Sequence, residues 1–159
     1  MASDHLADHN LSLLELSESH IDQIMRLENA AHSHPWSVSI MSGALSRHLG
    51  IGLCRIDTDE FDLVGFALVS VVLDEAELLN FVIDPALQGK GMGSIFVESV
   101  IDEVTVKAKR FYLEVRQSNI PAIRLYENAG FVEAGVRRNY YPTKAGKEDA
   151  ILMAMELLQ

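Results

Sequence analysis

A single cysteine, Cys54, stands in the 159 residues, so no disulfide framework holds this chain together and no thiolate-rich zinc site can be built from it. Basic residues are also scarce, with 13 Lys+Arg against 23 Asp+Glu and a formal net charge of −10. Surfaces that bind phosphate backbones need clustered Lys and Arg, so nucleic acid is not expected as a direct partner. No apolar run approaches the ~18 residues a membrane span requires. The opening MASDHLADHN is polar and acidic rather than signal-like, so a cytoplasmic chain with no membrane partner is expected. Repeats, low-complexity tracts and linkers rich in Gly, Ser or Pro are missing as well.

What is present is ordinary for a globular chain, with 48% hydrophobic and 23% charged residues. The length predicts one domain, which should bury roughly two thirds of its unfolded surface. Residues 1–10 read as a flexible N-terminal arm and residues 11–159 as the domain. Apolar or β-rich runs at 11–16, 50–56, 63–73 and 78–83 read as strands. Ser19 followed by Asp22 resembles a capping box, opening a helix with Ile21, Ile24, Met25 and Glu28 on one face. Pro35-Trp36 ends it, and Ser37 caps a second helix.

From Gln88 the pattern changes. Gln88-Gly89-Lys90-Gly91-Met92-Gly93 is a glycine-rich turn, followed at helical period by Ile95, Phe96, Val100, Ile101 and Val104. A strand over 110–115 comes next, so strand, glycine loop, helix and strand form a crossover with a parallel pair. Ser118 or Asn119 caps another helix, with Pro121 in its first turn and Gly130 just past its end. Residues 131–136 and 150–157 read as closing strands around a long loop, 137–149. The fold class is α/β (α+β), a mixed sheet with helices on both faces.

Backbone N–H groups of a glycine-rich loop at a helix N-terminus converge on an anion, although such a loop also serves simply as a turn. Phe96 stands where a dinucleotide fingerprint needs its third glycine, and no Gly-Lys-Ser/Thr follows, so a phosphate-bearing cofactor held without either motif is what the loop admits. Glu114, near the C-terminal end of its strand, shares a face with Tyr112, and Tyr126 lies on the next helix. A carboxylate and a phenol flanking one cleft make a base and acid pair, and the residues alone equally admit a solvated carboxylate and a core aromatic. His32-x-His34, and His5 with His9, invite a metal reading, but no Cys or well-placed carboxylate completes either set, so no metal is expected and exposed or capping histidines are.

Gln88-x-x-Gly91-x-Gly93 at the head of a helix resembles the acetyl-CoA motif of the GNAT N-acetyltransferases, Q/R-x-x-G-x-G/A, and the order of elements is similar from about Leu11 to the end. Pro35-Trp36-Ser37, Leu113-Glu114-Val115-Arg116, Leu125-Tyr126-Glu127, Arg137-Arg138-Asn139-Tyr140-Tyr141-Pro142-Thr143 and Glu148-Asp149-Ala150-Ile151 are similar to the branch that acetylates the N-terminal alanine of a ribosomal protein. That resemblance implies a splayed sheet in one domain and acetyl-CoA as donor. Pantetheine would pair with the main chain of Phe81, Val82 and Ile83. The pyrophosphate would lie on the amides of Gly89, Lys90, Gly91, Met92, Gly93 and Ser94, bordered by Gln88, with Asn119 touching the cofactor beyond the thioester. Lys90 either strengthens phosphate binding or points to solvent.

The same resemblance makes Glu114 the general base and Tyr126 the general acid in a ternary complex, with no acylated residue and no role for Cys54. The implied partner is the basic N-terminal segment of a ribosomal protein, which the acidic Asp74, Glu75 and Glu77 suit. Two other readings stand beside it. One is a related GNAT acting on another protein or a small amine; the other is a non-catalytic acyl-CoA-binding module. Retention of both Glu114 and Tyr126 favours the enzyme.

Overall fold

The computed structural model of the chain describes residues 2–158. In order these form α1 (Ala2–Asp8), β1 (Leu11–Glu15), α2 (Ile21–Ala31), α3 (Val38–Arg47), β2 (Leu49–Arg55), β3 (Asp62–Val72), β4 (Glu75–Ile83), α4 (Met92–Thr105), β5 (Arg110–Arg116), α5 (Ile120–Ala129), β6 (Val132–Thr143) and β7 (Gly146–Glu156). The strands make one seven-stranded sheet in the order β1-β2-β3-β4-β5-β7-β6. Every neighbouring pair is antiparallel except β4 and β5, joined through the α4 crossover. This is the mixed α/β architecture that the glycine loop and its flanking strands predict. Among the described residues no helix is long and apolar enough to cross a membrane.

Alternation along the strands gives the sheet two apolar faces. Phe111, Leu113 and Val115 of β5 pack with Phe96, Val97 and Val100 of α4 and Tyr126 of α5. On the other face Phe66, Leu68 and Val82 pack with Ile24, Leu27, Met41 and Leu45 of α2 and α3.

Three sequence expectations give way. Residues 2–8 are helical, not a loose arm: Leu6 is 5% exposed within the first core, and α1 lies on α4. One apolar residue is enough to dock that turn, and the surrounding polar residues mask it. The capping pair before α2 is Ser17 with His20, not Ser19 with Asp22; the Ser17 N–H donates to His20 Nδ1 at 3.0 Å, and Glu18–His20 form a 3-10 turn. Finally, residues 137–149 are no loop but most of a β6–β7 hairpin. Its ladder slips between Arg137 and Tyr141, where Asn139 adopts φ +52. A bulge of polar residues with one left-handed backbone breaks the alternation that marks a strand.

Candidate active site

The parallel pairing of β4 with β5 runs from Glu75↔Arg110 to Leu78↔Leu113 and stops. Beyond that point β4 keeps its ladder with β3 as far as Gly65↔Ile83, and β5 keeps its ladder with β7 as far as Arg116↔Ala150. The two strands therefore part while each stays bound to its outer neighbour. The cause is local. The β3–β4 register shifts between Leu68↔Asn80 and Val69↔Leu78, leaving Leu79 as an extra residue, and such a bulge bends its strand. Asp84 N–H donates to Val64 O, so by antiparallel alternation the amides of Asn80 and Val82 face β3. Those of Phe81 and Ile83 face the gap, unpaired by strand.

A cavity of about 650 Å³ fills this gap. Its floor carries Phe81 stacked on Phe96 at 5.1 Å between ring centroids and edge-on to Tyr126 at 6.2 Å. One end is the glycine loop. Asp84 caps the turn Pro85–Leu87, and Gln88 Nε2 donates to Ile83 O at 3.3 Å, tying the loop to the end of β4. Gly89 and Gly91 adopt φ +79 and +81, a conformation L side chains rarely take, and a Cβ at either would meet nothing within 4 Å. The backbone is thus open to an approaching group, with the free amides of the first turn of α4 behind it. An unpaired strand edge running into a bare-backbone anion cradle fits a pantetheine arm ending in a pyrophosphate.

Glu114 lies on the β5 face opposite Leu113 and Val115, which is the face α2 covers. Its side chain is 18% exposed, and Oε1 accepts from Arg137 Nη2 at 2.9 Å. Around it the hairpin stacks cations on rings: Arg137 over Tyr140 at 4.7 Å and Arg116 over Tyr141 at 4.5 Å. Arg116 is held by Glu148 at 3.3 Å and by Pro142 O at 2.9 Å. Burial first, then the Glu114 carboxylate, push the Tyr141 hydroxyl above its usual range. Tyr126 reaches the cavity from α5. Burial, with Tyr141 adding to it, raises its phenol well above the ordinary value, so it stays protonated throughout the neutral range. Asn119 Oδ1 accepts from Ala122 N–H at 3.3 Å as the α5 cap.

Opposite, α2 contributes a buried carboxylate. Glu28 is 1% exposed; Oε2 accepts from Trp36 N–H at 2.9 Å and Oε1 from Asn80 Nδ2 at 2.9 Å. His32 Nε2 lies 3.3 Å from Glu28 Oε1 and 3.1 Å from Asn80 Oδ1.

Of the residues singled out in the sequence, Glu114, Tyr126, Phe81, Val82, Ile83, Gln88, Gly89, Gly91, Gly93, Ser94 and Asn119 all line this one cavity, whereas Lys90 and Met92 do not. Lys90 is exposed, and Met92 turns its side chain to the first core. Cys54 is buried in the second core, away from the cavity. Sequence reasoning missed Asn80, Arg137 and the part played by Glu28. A carboxylate on the apolar stripe of α2 was the available signal, since buried carboxylates are rarely without partners.

The profile of the Acetyltransferase (GNAT) family matches residues 20–131. A [ribosomal protein bS18]-alanine N-acetyltransferase of Salmonella typhimurium is 42% identical over 144 residues, covering 89% of this chain and 95% of that protein. The crystal structure of the ribosomal-protein-S18-alanine N-acetyltransferase from Escherichia coli superposes with TM-score 0.85 at 39% identity, over 94% of this chain and 95% of that one. A Vibrio cholerae spermidine N-acetyltransferase in complex with CoA and spermine shares the fold, with TM-score 0.78 at 20% identity, over 94% and 96% of the two chains.

Proposed function

This chain belongs to the GNAT acetyltransferase family and is an N-acetyltransferase with acetyl-CoA as donor, and from that premise we propose that in the cytoplasm it acetylates the N-terminal α-amine of a protein, the terminal alanine of ribosomal protein bS18. The substrate reading is supported by relatives of that printed activity at 41% and 42% identity over nearly their whole length. The observation that carries the mechanism is the end of β4–β5 pairing at Leu78↔Leu113. It leaves the amides of Phe81 and Ile83 free to hold the pantetheine arm as an added strand would.

Glu114 acts as general base and Tyr126 as general acid. An α-ammonium has a pKa of about 8, so it must be deprotonated before it can attack a thioester. Glu114, on the face that α2 covers, accepts a proton from the attacking nitrogen, directly or through water. Attack generates a tetrahedral oxyanion, which a free amide of β4 stabilises. Tyr126, kept neutral by burial, protonates the departing thiolate. The absence of Cys54 from the cavity lining supports direct attack in a ternary complex over an acyl-enzyme route. The net charge of −10 suits the basic N-terminal segment of a ribosomal protein.

The test is to incubate the purified chain with acetyl-CoA and a peptide beginning Ala-Arg, and to map the added mass by fragmentation. Acetyl on the α-amine is expected. Acetyl gained only by free polyamines, with the peptide untouched, contradicts the substrate assignment.

A further inference from the structure

Glu28 is satisfied without His32, because the Trp36 N–H and the Asn80 amide already occupy its two oxygens. The converse does not hold: His32 is fixed by Glu28. With Asn80 Nδ2 donating to Glu28, the Asn80 atom facing His32 is its Oδ1, an acceptor. Nε2 of His32 thus faces two acceptors, and in the neutral ring it must be the nitrogen that carries hydrogen. The basic lone pair is then on Nδ1, which takes no hydrogen bond from any described residue, on a side chain 40% exposed at the cavity wall. A carboxylate holding one imidazole nitrogen so that the other is free to accept is the arrangement that orients a base. The His32 cluster and Glu114 share the face of the sheet that α2 covers. The other titratable groups lining the cavity are Glu28, His34, Glu114, Arg116, Tyr126 and Tyr141.

We propose that His32 is a second proton acceptor in the acetyl transfer, taking the first proton from the incoming α-ammonium at Nδ1 and releasing it to bulk water. This rests on the α-amine reading given above. An α-ammonium has three N–H bonds and the amide product one, so two protons leave nitrogen in each turnover. The first N–H bond breaks with its electron pair left on nitrogen, and the proton bonds to His32 Nδ1. The exposed imidazolium returns that proton to water. The lone pair then forms the C–N bond, the C–S bond breaks, and the second proton passes to Glu114. The thiolate takes the phenolic proton of Tyr126, which protonated Glu114 restores. One proton ends on CoA sulfur and one in solvent.

The experiment is the pH dependence of kcat/KM for a peptide beginning Ala-Arg, in the wild type, His32→Ala, His32→Gln and Glu114→Gln. Both His32 variants should lose roughly ten- to a hundredfold below about pH 8 and approach the wild type above about pH 9, where the amine arrives already neutral. Added imidazole should restore part of the low-pH rate of His32→Ala, with acetyl-CoA affinity unchanged. Glu114→Gln should stay slow at every pH. A loss of the same factor at all pH values, without imidazole rescue, overturns the assignment and leaves His32 a packing residue. A wild type that acetylates no peptide α-amine instead removes the reading beneath it, and this inference with it.

Discussion

Arg137 Nη2 sits 2.9 Å from Glu114 Oε1, bridging the β6 bulge to the residue on β5 that faces the open gap. Just beyond Arg137 the ladder slips, where Asn139 turns through a left-handed backbone with its N–H held by Asp149 Oδ1 at 2.9 Å. Arg137 is 52% exposed, and a pair of that exposure contributes under about 1 kcal/mol to stability. Its effect is to aim the carboxylate. Arg137→Ala should shift the thermal midpoint by no more than about 4 °C while lowering kcat/KM for the peptide roughly tenfold. A calorimetric scan beside steady-state kinetics checks both; unchanged kinetics would remove Arg137 from the site.

Tyr126→Phe deletes one oxygen from a ring packed edge-on by Phe81 and Phe131, so the fold and acetyl-CoA binding should persist. Turnover should fall by about a hundredfold, the ordinary worth of a positioned acid. Because burial raises this phenol above its usual value of 10.0, the folded protein binds that proton more tightly than the unfolded chain does. Its contribution to stability is complete below pH 10 and is lost as pH climbs towards the raised folded value. Wild-type kcat should therefore show no alkaline limb below pH 10 from this residue.

Gly91→Ala introduces a methyl that meets no protein atom within 4 Å, at φ +81. The cost to folding is the left-handed strain alone, about 1–2 kcal/mol, but the methyl stands over the amides that open α4. Calorimetric titration should show acetyl-CoA or CoA binding weakened by at least about tenfold. The neighbouring Lys90→Ala, exposed and off the cavity lining, should change affinity far less.

Most of what positions the site is written in local chemistry. The glycine loop, the Asn119 cap, Gly130 in its left-handed C-cap at φ +112 and the alternation along β5 each express a short-range rule. They bring Glu114 and Tyr126 to one cavity. What is not legible depends on contacts distant in sequence. The Leu79 bulge that opens the gap is a register slip against Leu68 and Val69, invisible along β4 itself. Glu28 reads as one more position on an amphipathic stripe until Asn80, 52 residues on, arrives to donate its amide N–H to Oε1. The same holds for the hairpin, whose pairing across Gly146 overrides a run of polar and aromatic residues that reads as loop.

Cys54 should be inert in the native protein. Burial first, and then the field of Asp62, push its thiol from 9.0 to about 11, so little thiolate exists near pH 8. The folded value is raised, so this group's stabilising contribution is whole below pH 9 and disappears as pH rises through about 11. Iodoacetamide at pH 8 should label Cys54 only after denaturation and leave activity intact. Rapid native labelling with loss of turnover would point to a thiol in the chemistry.

The most direct measurement of the central claim is a crystal structure of the chain with CoA joined through an acetyl bridge to the α-nitrogen of a peptide beginning Ala-Arg. The pantetheine arm is expected along the main chain of Phe81 and Ile83, the pyrophosphate over Gly89, Gly91 and Gly93, and the bridged nitrogen facing Glu114 with the sulfur towards Tyr126. A conjugate seated elsewhere, with β4 and β5 unchanged and empty between Leu79 and Ile83, would contradict it.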